Sequence, residues 1–135
     1  MKPIIIDYLG NLRTEAFHPL SGKKILTDAP PDNNGKGEAF SPTDLMATAL
    51  GSCMLTIMEI TGNTNKIYII GSKVSVEKIM DSNPRRIGTI NININLPKKL
   101  TPKERTVLER AGKHCPVAKS IHPDIKENIN FSYTI

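Results

Sequence analysis

The chain of 135 residues contains no tryptophan, and aromatic residues make up only 4% of it. Any sizeable core must therefore be aliphatic, built from Ile, Leu, Val and Met. Cysteine occurs twice, at Cys53 and Cys115. That excludes the dense disulfide framework of small secreted domains. Like charges never run beyond two residues (Lys23-Lys24, Arg85-Arg86, Lys98-Lys99), and the net charge is only +5. A nucleic-acid binder would show a basic stripe with interleaved aromatics, and neither is present. The charge reads as solvated surface, with an anionic partner as the lesser alternative. No membrane partner is expected. The apolar run in MKPIIIDYLGNLR is too short for a signal peptide, so the expectation is a cytoplasmic protein. No internal repeat or low-complexity tract breaks the chain, which reads as one domain over residues 1–135.

The most distinctive stretch is Phe40 to Ile60, FSPTDLMATALGSCMLTIMEI. Ser41 is a natural N-cap, Pro42 suits the first helical position, and Asp44 can close a capping box onto Ser41. Apolar residues then surround the axis on all sides, which predicts a buried helix. Thr48, Ser52, Thr56 and Glu59 interrupt the run, and the expectation is a core helix, not a bilayer span. Cys53 lies near its middle.

Upstream, Pro3 to Leu9 and Leu12 to Phe17 flank a Gly10-Asn11 turn and predict a hairpin. Arg13 and Glu15 share one face of it, which on residue type alone is an exposed charge pair. Lys23 to Thr27 is a brief third strand. Asp28 to Gly37 is a loop rich in Pro, Gly, Asp and Asn. Its Gly-Lys-Gly lacks the spacing of a phosphate loop.

Downstream, Thr61 to Asn65 reads as a polar break, and Ile67 to Met80 as one long strand. In Arg86 to Leu96, Ile90, Ile92, Ile94 and Leu96 alternate with Thr89, Asn91, Asn93 and Asn95. That predicts a strand with one buried and one wet face. Thr101 and Glu104 frame a second capping box, and Pro116 opens a short helix with Cys115 near its start. Glu127 to Ile135 is a last strand. The order predicts an α+β domain, mostly antiparallel.

Two cysteines 62 positions apart admit a structural disulfide, half of a metal site, a reactive pair, or buried thiols of no chemical role. In a cytoplasmic setting a permanent disulfide is disfavoured. A zinc site of Cys53, Cys115 and His114 lacks the close Cys pairs usual for that metal, so no metal is expected. His114 reads as a surface residue at a helix end, and His18 and His122 as turn residues. No bound cofactor is expected.

FSPTDLMATALGSC, followed 62 residues later by CPVAKSI, resembles the OsmC / organic hydroperoxide resistance (Ohr) family. The resemblance extends over most of the chain. It implies antiparallel sheets around a long buried central helix, in an intertwined homodimer with active sites at the subunit interface. It implies thiol-dependent reduction of hydroperoxides, with Cys53 attacking the peroxide, Cys115 closing a disulfide, and an external dithiol, a dihydrolipoyl group in part of the family, restoring both. Cys53 lies about three turns into its helix, beyond the reach of the N-terminal dipole. Its thiolate therefore needs a cation, and the resemblance assigns that part to Arg13. The hydroperoxide branch also carries a Glu ten residues before the first Cys, paired with the Arg. Here that position is Thr43, which marks a divergent branch. Asp44, Glu38 and Glu59 are the candidate replacements. The alternative within the same fold is a binding or regulatory module with little peroxidase activity.

Overall fold

The computed structural model describes all residues, Met1–Ile135. The chain separates into two compact units, Met1–Leu45 and Met46–Ile135.

The first unit is a three-stranded antiparallel meander. β1 (Ile5–Gly10), β2 (Arg13–His18) and β3 (Lys23–Asp28) lie in sequence order. The turn between β1 and β2 puts Asn11 and Leu12 in the left-handed region, at φ 54° and 62°. Two consecutive positive φ angles match the twist of a tight hairpin. β2 and β3 then align Arg13 with Asp28 and Thr14 with Thr27. The third strand thus runs one residue past the expected Thr27. The following loop holds a single 3-10 turn, Pro31–Asn33, and returns to the sheet through a bridge between Thr27 and Phe40. Few large side chains are buried here: Ile5, Ile6, Tyr8, Leu9, Ile25 and Leu26 are all exposed.

The second unit holds the core. Helix α1 (Pro42–Thr64) begins at the junction and continues four residues beyond the expected Ile60. The predicted break at Thr61 is helical because its polar groups bond locally: Thr64 Oγ1 donates to the Ile60 carbonyl and Asn65 Nδ2 to that of Thr61. The helix ends where Lys66 takes a left-handed φ of 57° and Ile67 N donates to the Gly62 carbonyl. By length and composition alone α1 is apolar enough to cross a membrane. Its buried residues, Ala47, Leu50, Gly51, Met54, Met58 and Gly62, form one helical stripe within the folded core. The expectation of burial all round is corrected: Met46, Ser52, Thr56 and Ile60 on the other face are exposed in the single chain.

Residues 67–72 are not strand, contrary to expectation. Gly71, at φ 91°, turns the chain, and β4 begins only at Lys73 (Lys73–Asp81). β5 (Arg86–Asn95) is central, antiparallel to β4 and parallel to β6 (Lys126–Ser132). Ile90, Ile92 and Ile94 are fully buried beneath α1 residues Leu50, Met54 and Met58 in one cluster. Each such side chain contributes about 1.5–3 kcal/mol of burial. Gly51 allows the close approach: a Cβ there would lie 2.9 Å from Val76 Cγ1. Between β5 and β6 run α2 (Pro102–Gly112) and α3 (Pro116–Ser120). α2 carries the expected capping box, with Thr101 Oγ1 accepting from Glu104 N and Thr101 N donating to Glu104 Oε1. Tyr133 donates to Glu109 Oε2, and the Arg105 guanidinium lies 4.0 Å above the Tyr133 ring, tying α2 to the chain end.

Candidate functional site

Both thiols lie in the second unit and interact with each other. Cys53 is half-buried on α1; Cys115 is fully buried and is the N-cap of α3. Cys115 caps because Pro116 fixes the first helical φ and leaves the Ala118 N–H free to donate to the sulfur, at 3.4 Å. Burial pushes the Cys115 thiol up, and side-chain hydrogen bonding and charge repulsion from Cys53 push it the same way. The N–H groups of Ala118 and Val117 oppose this less strongly. Two adjacent thiols do not both ionise readily, and the more buried one keeps its proton. Cys115 is therefore the thiol that ionises less readily, and Cys53 is the more accessible of the two. Both are free thiols.

Arg13 lies in the first unit, half-buried at the start of β2. Its Nε and one terminal nitrogen donate to Asp28 Oδ1 and Oδ2, at 2.7 and 2.8 Å. This bidentate geometry is the strongest form of the Arg–carboxylate pair. Asp28 is 1% exposed and also accepts from Glu38 N at 3.0 Å. The Arg13 hydrogen bond holds the Asp28 carboxyl below the usual carboxylate range against the opposing effect of burial.

The three acids expected to serve as partners are placed differently from one another. Glu38 approaches Arg13 only at 3.9 Å. Asp44 is engaged in the α1 cap, where Ser41 N donates to Oδ2 at 2.9 Å and Asp44 N donates to Ser41 Oγ at 3.0 Å. Glu59 lies in the second unit, in a groove of about 350 Å³ with Leu55, Thr56, Ile60, Ile69, Ile70 and Ser72. Thr43 Oγ1 is 3.3 Å from Ser41 Oγ, within the same cap region.

Asp28 is a partner that the residue pattern does not reveal, because by composition it belongs to the Asp28–Gly37 loop. The signal lies in the hairpin register: with His18 opposite Lys23, Arg13 falls opposite Asp28. The exposed pair expected of Arg13 and Glu15 is not formed: Glu15, partly buried, pairs with Lys24 at 3.3 Å, and Arg13 turns to Asp28. His114 Nδ1 bonds the Arg110 carbonyl, and no group of three or more His, Cys, Asp or Glu side chains could hold a metal ion.

The α+β chain thus sets a helix-borne thiol on α1 against a buried thiol at the start of α3. The OsmC-like protein family model matches residues 35–130, and the chain belongs to that family. A solved Psychrobacter arcticus structure, of a candidate osmotic stress induced and detoxification response protein, is 46% identical, with a TM-score of 0.93 over 97% of this chain and 96% of that one. Two organic hydroperoxide resistance proteins share the fold at low identity. The one from Legionella pneumophila is 17% identical, with a TM-score of 0.77 over 98% of both chains. The one from Elizabethkingia anophelis is 16% identical, with a TM-score of 0.71 over 99% of this chain and 98% of that one. No curated protein sequence matches the chain.

Proposed function

We propose that this protein is a thiol-dependent peroxidase of organic hydroperoxides, working through Cys53 and Cys115. The observation that carries the reading is the pair of free, interacting thiols, Cys53 half-exposed on α1 and Cys115 fully buried at the start of α3. The names of the two hydroperoxide resistance proteins above add support.

The Cys53 thiolate attacks the terminal oxygen of the hydroperoxide. The O–O bond breaks, and the alkoxide takes up a proton and leaves as the alcohol. Cys53 is now a sulfenic acid. The Cys115 sulfur then attacks the Cys53 sulfur. An S–S bond forms, the S–O bond breaks, and the hydroxide leaves with the Cys115 proton as water. An external dithiol, with a dihydrolipoyl group as the candidate, returns two electrons and two protons. Arg13 is the cation proposed to favour the Cys53 thiolate.

The same reading takes the working unit as a homodimer. A three-stranded sheet needs a covered apolar face to be stable, yet Ile5, Ile6, Tyr8 and Ile25 are exposed, as are Met46 and Ile60 on α1. A second copy of the chain would cover these surfaces.

The test is to mix reduced protein with one equivalent of cumene hydroperoxide, with hydrogen peroxide in parallel, and follow thiols by mass spectrometry. Both thiols should vanish together, with loss of two hydrogens, faster with the organic peroxide. Thiols that persist for minutes would overturn the reading in favour of a binding module.

A further inference from the structure

The groove that holds Glu59 is built by two neighbouring segments of the second unit. Leu55, Thr56, Glu59 and Ile60 recur at the spacing that places them on one side of α1. The remaining wall is Ile69, Ile70 and Ser72, from the turn that leads into β4. Ser72 N donates to the Ile69 carbonyl at 3.0 Å, and Gly71 takes the positive φ, 91°, that such a turn needs. The turn leaves Ile70 89% exposed, buries Ile69 and draws the Ser72 hydroxyl out of contact with solvent.

Two polar groups of this groove have no partner within the chain. Ser72 Oγ is buried and makes no hydrogen bond. Buried hydroxyls are nearly always satisfied, because an orphaned one keeps its full desolvation penalty. Glu59 is half-buried and makes neither an ion pair nor a hydrogen bond. The Thr56 hydroxyl, by contrast, donates its proton to the Ser52 carbonyl at 2.8 Å. The groove therefore offers aliphatic walls, from Leu55, Ile60, Ile69 and Ile70, together with one carboxylate that only accepts and one hydroxyl that does either.

We infer that this groove is a binding site for a small primary alkylammonium ion. An ammonium group has three donors, enough to serve the carboxylate and the hydroxyl together, and the bond to the carboxylate is charge-assisted. The alkyl chain covers the aliphatic walls. A volume of about 350 Å³ is at the lower end for small-molecule sites, which sets the occupant as a short chain. An anionic head is repelled by Glu59, and a wholly apolar occupant strips water from both polar groups without replacing it. The site uses neither thiol and stands apart from the peroxidase reading. Ile60 also belongs to the surface assigned above to a second copy of the chain, and that copy is the rival occupant.

The experiment titrates the reduced, full-length protein at neutral pH with n-hexylamine, n-hexanol and n-hexanoate, which share a chain and differ in the head group. The amine is protonated there, as a lysine would be. Binding is followed at the isoleucine methyl groups by NMR, in wild type, Glu59→Gln and Ser72→Ala. Hexylammonium should shift the Ile60, Ile69 and Ile70 methyls saturably and bind about tenfold more tightly than hexanol, with hexanoate weaker still. Glu59→Gln should bring hexylammonium down to the level of hexanol and leave hexanol unchanged. Ser72→Ala should weaken hexylammonium a further few-fold relative to wild type. Equal affinity for all three probes, or an affinity for hexylammonium indifferent to Glu59→Gln, would overturn the inference. So would the absence of any shift at these methyls, the result expected if a second copy fills the groove. Should a variant fail to fold, salt decides on wild type alone: rising ionic strength should weaken hexylammonium and spare hexanol, and an equal response of the two refutes the site.

Discussion

Replacing Cys115 separates what the residue does for the fold from what it does for the chemistry. In Cys115→Ser a hydroxyl takes over the acceptor role toward Ala118 N, now 3.4 Å from the sulfur. Serine is among the most favoured N-caps, and losing such a cap to alanine typically costs about 0.5–2 kcal/mol. Against the better cap stands the loss of the larger, more apolar sulfur from a fully buried site, roughly 1 kcal/mol on the scale of one buried methylene. The two nearly cancel, so Cys115→Ser should lie within about 1 kcal/mol of wild type. Cys115→Ala loses both contributions and should be less stable by about 1–2 kcal/mol more. At roughly 4 °C per kcal/mol for a domain of this size, the two variants should melt several degrees apart. Thermal melting of the three reduced proteins checks the order. An alanine variant as stable as the serine one would refute the capping role. In the same serine variant, one equivalent of hydroperoxide should leave Cys53 as a sulfenic acid, seen by mass spectrometry as a gain of one oxygen or, with dimedone added, as the thioether adduct.

Other expectations follow from packing and charge. Gly51→Ala places a methyl 2.9 Å from Val76 Cγ1 and 3.4 Å from Val74 Cγ1; overpacking costs about 1–3 kcal/mol, against about 1 kcal/mol gained in helix propensity. Urea unfolding should show a net loss of up to about 2 kcal/mol, and a stabilised variant would mean that α1 lifts from the sheet freely. Leu108→Ala empties a fully buried position and should cost about 2–5 kcal/mol in the same assay, with a loss under 1 kcal/mol showing that α2 packs loosely. Stability should also depend on pH at both ends. Between the unfolded thiol value and the raised folded value of Cys115, the unfolded chain holds fewer protons, so stability falls as pH rises through that alkaline window. Asp28 is shifted down, so below the ordinary carboxylate range the unfolded chain holds more protons and stability falls as pH drops. Cys115→Ser should flatten only the alkaline limb of a urea-midpoint profile, and a limb unchanged by that substitution would assign it to other groups.

What was legible in the sequence was local. The Thr101–Glu104 capping box and the Ile/Asn alternation of β5 follow from contacts within a few residues, and both are in the structure as read. The end of α1 is not legible because Thr61, Asn63 and Thr64 look like a linker by composition, whereas Thr64 Oγ1 and Asn65 Nδ2 bond back to carbonyls of the helix. The strand expected from Ile67 failed because a backbone conformation, the positive φ of Gly71, overrides β-branched composition. The parallel partner of β5 lies more than thirty residues further on, and nothing in β6 itself encodes strand direction. Arg13 and Asp28 illustrate the same limit at the site. Each is unremarkable in its own segment, and only the register of β2 on β3 makes them a pair. The contact between Cys53 and Cys115 is longer-range still and follows from the core packing that unites α1 with the β5–β6 connection.

That connection has a topological consequence. A bond between Cys53 and Cys115 would close a covalent ring of about 60 residues threaded through β4 and β5, the edge and centre of the sheet. Constraining so long a segment of the unfolded chain favours the native state by about 4 kcal/mol. The thermodynamic cycle runs both ways: the native fold then holds the oxidised form by the same amount, equivalent to lowering the reduction potential by roughly 90 mV relative to the unfolded chain. Under the proposed cycle, a dithiol that reopens this bond would have to be strongly reducing. With that bond in place, the protein would also be harder to unfold.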